Sequence, residues 1–174
     1  MERIEYKFPE INRSEWSRGA WDNEPDKIQW QDKETGLPCL IVRNKLGALC
    51  GYVGISAGHP LFEVAYSGCC LRENKCKGYY CDHSPESSIY VHGGLTFADF
   101  CHPHENGRGI CHIPSPGEPD HVWWFGFDCA HSGDIVPGMI KYDLYEAYAD
   151  YRTISYVQDQ CRQLAIQLKA KSGA

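Results

Sequence analysis

A chain of 174 residues, 43% of them hydrophobic and 23% charged, is long enough for one well-buried core and too short for two ordinary domains. Its formal net charge of −6 argues against general nucleic-acid binding, which needs surplus Lys and Arg to neutralise phosphates. No stretch approaches the roughly 20 apolar residues of a membrane helix, and residues 1–9 carry no hydrophobic signal core. A cytoplasmic protein without membrane attachment is the expectation. In that reducing setting the ten cysteines read as thiols or metal ligands, and no structural disulfides are expected.

Residues 1–26 mix charge with Trp16 and Trp21 and show no period, which predicts a lead-in pinned over the core by two indoles. Residues 27–31 alternate apolar and polar, Glu34-Thr35-Gly36 supplies a turn, and residues 39–43 read as the returning strand. After a second turn at residues 44–47, residues 48–55 continue an antiparallel meander. Gly51 and Gly54 inside that strand point to a bulge or to close approach by a backbone or ligand. Residues 67–88 are Cys-, Lys- and Gly-rich and read as an excursion from the sheet. Strand character returns at residues 88–92, fades between Pro103 and Pro119 through four prolines and three glycines, and returns in the aromatic run at 121–127. Near the C-terminus, Ile154, Val157, Cys161, Leu164 and Leu168 recur at steps of three and four, one apolar stripe of a helix. Asp150 or Thr153 would cap it, and Lys169 and Lys171 suit the negative end of its dipole. With no repeat and no linker, the chain reads as a single domain over residues 1–174. The fold class is α+β: an antiparallel or mixed sheet of short strands packed against a long C-terminal helix.

The chemistry concentrates after two of these strands. Asp128, His131 and Asp134 put two carboxylates and an imidazole directly behind the aromatic strand, with Gly133 allowing a tight turn. Such mixed donors suit a divalent ion such as Zn or Mn, and serve equally as an acid–base set in which Asp orients His. The local alternative is that Asp128 and Asp134 cap turns while His131 makes one structural hydrogen bond. In His92-Gly93-Gly94-Leu95-Thr96, paired glycines expose backbone N–H groups to a ligand, Thr96 adds a hydroxyl, and His92 adds a base or metal ligand. If the two strands are neighbours, His92, Asp128, His131 and Asp134 share one pocket and are the catalytic candidates. Tyr52 as a stacking surface, His59 in Gly58-His59-Pro60-Leu61, and Trp124 as an aromatic wall complete the ligand-binding candidates. Cys69, Cys76, Cys81 and His83 are candidates for a structural zinc, although C-C-x5-C-x4-C-x-H is not a paired C-x2-C knuckle. Cys101, His102, His104, Cys111 and His112 could form a further cluster, but their place in the Pro- and Gly-rich stretch favours scattered surface residues. No P-loop, Rossmann glycine fingerprint, G-x-S-x-G elbow or H-E-x-x-H is present.

Gly51-Tyr52-Val53-Gly54, Gly58-His59-Pro60-Leu61, His92-Gly93-Gly94-Leu95-Thr96, Gly117-Glu118-Pro119-Asp120, the run from Trp123 to His131, and Gly133-Asp134 together resemble a set of small proteins encoded in bacteriophage genomes. The resemblance takes in Tyr151-Arg152 and the helix after them, and so spans residues 37–168. It brings no activity, but it implies an accessory protein acting in the host cytoplasm, including one that counters defence by removing a nucleotide signal. The leading expectation is a metal-dependent or acid–base hydrolase of a small phosphorylated or nucleotide-like ligand. In the metal form the ion lowers the pKa of bound water, and Glu63 or an unliganded Asp takes the proton. The alternatives are a binder that sequesters such a ligand unchanged, and a zinc-stabilised interaction module. An acidic chain needs a metal, or Arg108, Arg152 and Lys141, to compensate an anionic ligand locally. The oligomeric state stays open, a homo-oligomer being the natural form for a binder of symmetric nucleotides.

Overall fold

The strand signals assemble into one sheet whose two faces are covered by different parts of the chain. In the computed structural model, which describes residues 1–68, 83–104, 107–142 and 148–173, the strands in chain order are β1 (Ile4–Tyr6), β2 (Lys27–Gln31), β3 (Pro38–Arg43), β4 (Leu49–Ser56), β5 (Phe97–Asp99) and β6 (Val122–Asp128). They form a six-stranded, fully antiparallel sheet in the order β1-β2-β3-β4-β6-β5. A short α1 (Pro85–Ser88) forms the end of the 67–88 stretch, and the helix α2 (Ile154–Lys171) packs across β3 and β4. The α+β architecture is as the periodicities predict. No helix among the described residues is long and apolar enough to cross a membrane.

Period-two alternation decides what each face buries. Trp123, Phe125 and Phe127 of β6 point with Ile28, Ile41, Val53 and Ile55 towards the α2 stripe of Val157, Cys161, Leu164 and Leu168. Full burial of an aliphatic side chain of this kind contributes about 1.5–3 kcal/mol before entropy is counted. Gly51 lies under this helix: a Cβ there would run into the Phe127 ring and Cys161 Sγ. The close approach expected at that glycine is therefore made by α2, and β4 pairs with both neighbours in unbroken register.

The opposite face carries Leu40, Val42, Tyr52, Val122 and Trp124. The Pro- and Gly-rich stretch closes over it. Gln29 exchanges hydrogen bonds with both the N–H and carbonyl of Ile113, and the Lys27 ammonium donates to the Gly107 and Gly109 carbonyls at 2.7 and 2.8 Å. His112, expected at the surface, is buried edge-on against Trp124. A second correction concerns the cysteines. Cys101 and Cys111 form a disulfide, because the antiparallel bridge between His102 and Ile110 holds their Cα atoms 4.8 Å apart. Cys39, Cys50, Cys129 and Cys161 are free thiols.

Two further departures from the sequence reading have a common cause, namely hydrogen bonds supplied by side chains. Residues 88–92 do not join the sheet: Tyr90 exchanges bonds with the Gln167 side chain, and the His92 N–H donates to Gln160 Oε1. The lead-in is held by charge as well as by Trp21. Buried Arg43 donates to Glu24 Oε2 at 2.9 Å, Asp26 Oδ1 at 3.1 Å and Tyr151 Oη at 2.7 Å, and Trp21 packs edge-on against Tyr151. Glu24 Oε1 in turn accepts from the Ile154 N–H at 2.9 Å, while Thr153, one of the two expected caps, accepts from the Tyr156 N–H. That arrangement fixes the first turn of α2 and the residues just before it.

Candidate metal centre

The site forms where the end of β6 meets the approach to β5. Because these strands run antiparallel, with Phe97 opposite Gly126, the loop from His92 to Thr96 lands beside the turn that follows Asp128. Thr96 N–H donates to the Gly126 carbonyl at 2.9 Å, and Thr96 Oγ1 donates to Asp128 Oδ2 at 2.9 Å. Asp134 closes a tight turn on His131, its N–H donating to the His131 carbonyl at 3.0 Å, with Gly133 at φ +88°. A bridge between Asp134 and Asp150 ties that turn to the residues just ahead of α2.

His92, His131 and Asp134 come together, each offering one ligand atom, with all three atoms within 4.8 Å of one another. This group could hold a metal ion. His92 Nε2–H donates to Asp134 Oδ2 at 2.7 Å, and the His131 N–H donates to the same oxygen at 3.0 Å. His131 Nδ1 lies 3.7 Å from Asp134 Oδ2 and 3.7 Å from Asp128 Oδ1; it is a buried atom without a hydrogen-bond partner among the described residues. Two donors on one tetrahedral ion, with bonds of about 2.0–2.1 Å, stand about 3.3 Å apart. The 2.7 and 3.7 Å separations from Asp134 Oδ2 bracket that value, and the ligand nitrogens of His92 and His131 lie within 4.8 Å of each other.

Surrounding groups orient these donors, as partners of metal ligands do. Tyr156 Oη sits 2.9 Å from His92 Nδ1, and Arg152 Nε donates to Asp134 Oδ1 at 2.7 Å. Burial raises the Asp134 pKa, but the hydrogen bonds from Arg152, His92 and the His131 backbone outweigh it, and the carboxyl lies below the ordinary aspartate range. Its side chain is 1% exposed, against 13% for His92 and 34% for His131. Burial also raises the Tyr156 phenol, which therefore stays a neutral hydroxyl.

The paired glycines of the first motif do different things. Gly93, at φ +66°, packs against the His131 ring; a Cβ would overlap Cε1, Nδ1 and Nε2. Its missing side chain is what lets the two motifs meet. Gly94, at φ +87°, has no atom within 4 Å of where a Cβ would stand. Asp128 sits beside the three donors, its carboxylate held by Thr96 Oγ1 and the Ala130 N–H. A cleft of roughly 320 Å³ abuts His131 and Asp134 and is walled by Leu46, Ala130, Val136 and Met139.

Other candidates lie elsewhere. Tyr52 and Trp124 are buried on the far face of the sheet, Tyr52 edge-on to Phe97. His59 follows the other end of β4, where Nδ1 accepts from the Leu61 N–H and Nε2–H donates to the Leu168 carbonyl, capping the end of α2. Cys69, Cys76 and Cys81 lie outside the described residues, and His83 is exposed. Sequence reasoning missed Tyr156 and Gln160. The available signal was their i, i+4 spacing, which puts two polar side chains on one edge of the apolar stripe. No family model, no curated protein and no solved structure matches the chain.

Proposed function

We propose that the protein is a metal-dependent hydrolase whose ion, zinc or manganese, is held by His92 Nε2, His131 Nδ1 and Asp134 Oδ2. The carrying observation is the buried His131 Nδ1, unpartnered among the described residues, grouped with Asp134 of its own turn and with His92 from a separate loop. An unsatisfied buried nitrogen costs about 1–3 kcal/mol, and a cation removes that cost. With three protein ligands a coordination position stays open for water, whose pKa an ion such as zinc lowers to about 7. Asp128, held beside His131 by Thr96, is the carboxylate placed to take the proton. With Nε2 given to an ion, His92 would carry its proton on Nδ1 and donate it to Tyr156 Oη, 2.9 Å away, the outer hydrogen bond that a ligating imidazole needs.

The test is binding followed by turnover. Chelator-stripped protein should take up one equivalent of zinc or manganese, and His131→Ala and Asp134→Ala should each abolish tight uptake while keeping the far-UV circular dichroism spectrum. Undiminished affinity in His131→Ala sinks the assignment. A second reading is a metal-free relay through Asp134, His92 and Tyr156, favoured by the short 2.7 Å contact; it requires turnover that chelation leaves untouched. In the accessory role that the phage resemblance implies, the substrate is a small phosphorylated or nucleotide-like host compound. Recovery of that compound unaltered from the denatured protein would favour sequestration.

A further inference from the structure

We infer that Arg152 presents a guanidinium fork to the substrate beside the proposed ion, and that the group it receives is a phosphoryl. The inference rests on the metal reading above. An acidic chain that handles an anion must place a cation at the site. Of the three basic residues singled out for this, Lys141 is paired with Glu15, and Arg108 lies in the stretch that closes the far face of the sheet. Only Arg152 reaches the donors.

Its geometry is that of a prepared anion site. Nε–H donates to Asp134 Oδ1 at 2.7 Å, and the guanidinium carbon lies 5.1 Å from the centre of the Tyr156 ring. These two contacts fix the plane of the group. Nη1 and Nη2 have no hydrogen-bond partner among the described residues, and the side chain is 25% exposed. A guanidinium held in this way has already lost much of the rotamer freedom that binding an oxyanion would cost.

The class of oxyanion follows from counting acceptors. Asp134 would serve the ion through Oδ2 and Arg152 through Oδ1, which puts ion and guanidinium about 5 Å apart. A ligand meeting both must offer two oxygens to the fork and a third to the ion. A planar carboxylate has two; a phosphoryl group has three outside its ester bond. The cleft beside His131 and Asp134, with Leu46, Val136 and Met139 in its wall, is suited to the uncharged organic remainder. The substrate class is therefore a small phosphate monoester. Water attacks phosphorus, the ester P–O bond breaks, and the proton passes to Asp128 and on to the leaving alkoxide. The products are an alcohol and inorganic phosphate.

Inorganic phosphate, as a product, is the probe. Zinc-loaded protein is titrated calorimetrically with phosphate and separately with acetate, and Arg152→Lys is treated identically after its zinc content has been measured. Phosphate is expected to bind the wild type at least tenfold more tightly than acetate. Arg152→Lys keeps charge against Asp134 but has no fork; it should hold zinc stoichiometrically and bind phosphate about tenfold more weakly. Zinc bound normally with phosphate no tighter than acetate overturns the inference and leaves the metal site standing, as does equal phosphate affinity in Arg152→Lys. Failure of the wild type to bind zinc removes the metal reading, and the inference with it.

Discussion

Gly93→Ala tests the geometry of the site without touching a proposed ligand. The substitution has two effects of different kind. Holding an L-residue at φ +66° costs about 1–2 kcal/mol, which in a chain of this size lowers Tm by about 2–8 °C. The new Cβ also overlaps three atoms of the His131 imidazole. Restoring ordinary carbon contacts of about 3.5–4.0 Å from a separation of 2.1 Å drives the ring back by about 1.4–1.9 Å, whereas metal–ligand distances tolerate only about 0.2 Å. Changes in outer-shell partners alone cost about 10–100-fold in metal affinity, so displacing a ligand belongs at or beyond the upper end of that range. Gly94→Ala is the matched control: it forces a side chain onto φ +87° in open space, and should lose comparable stability while keeping its affinity. Competition for zinc against a chromophoric chelator measures the affinity, and thermal unfolding measures the strain. Equal zinc affinities in the two variants would refute the argument that Gly93 exists to seat His131.

Two other predictions concern charge. Asp134 titrates lower in the folded protein than in the unfolded chain, where an aspartate sits near about 3.9. Its charge therefore contributes stability that is complete above the unfolded value and is lost as pH falls through the folded one. The stability gap between wild type and Asp134→Asn should shrink as pH is lowered from neutrality through that window; urea midpoints that run parallel at every pH would contradict this. Glu24→Gln removes the carboxylate that Arg43 and Tyr151 both donate to and that accepts from the Ile154 N–H. With Asp26 still paired to Arg43, the loss should be about 2–3 kcal/mol, read as a Tm lowered by about 5 °C or more. An unchanged Tm would mean that this buried network adds nothing to the anchoring of α2.

The elements with a strong period could be read directly from the sequence. β2 announces itself by alternation, β3, β4 and β6 by short apolar or aromatic runs bounded by turn residues, and α2 by its three-and-four stripe, because those patterns record what must leave water. β1 could not be read: three residues at a sheet edge carry too little pattern. Residues 88–92 misled, since apolar alternation cannot reveal that Gln160 and Gln167 will take the hydrogen bonds a neighbouring strand would otherwise make. Cysteine chemistry also escaped, because the pairing of Cys101 with Cys111 depends on the chain folding back at His102 and Ile110, not on cellular redox alone.

At the site, the sequence by itself determined the inventory: two histidines and two aspartates after strand-like segments, with glycines between them. Tertiary structure decided the sorting. Antiparallel pairing of β5 with β6 brought His92 beside His131 and Asp134, left Asp128 at their side on Thr96, and sent Tyr52 and Trp124 to the opposite face. Docking of α2 then added Tyr156, Gln160 and Arg152, residues far from both motifs along the chain. Side-chain type fixes what a residue can donate or accept, and that is written locally. Which donors share a few ångströms depends on strand register and helix docking, and only the folded chain sets those.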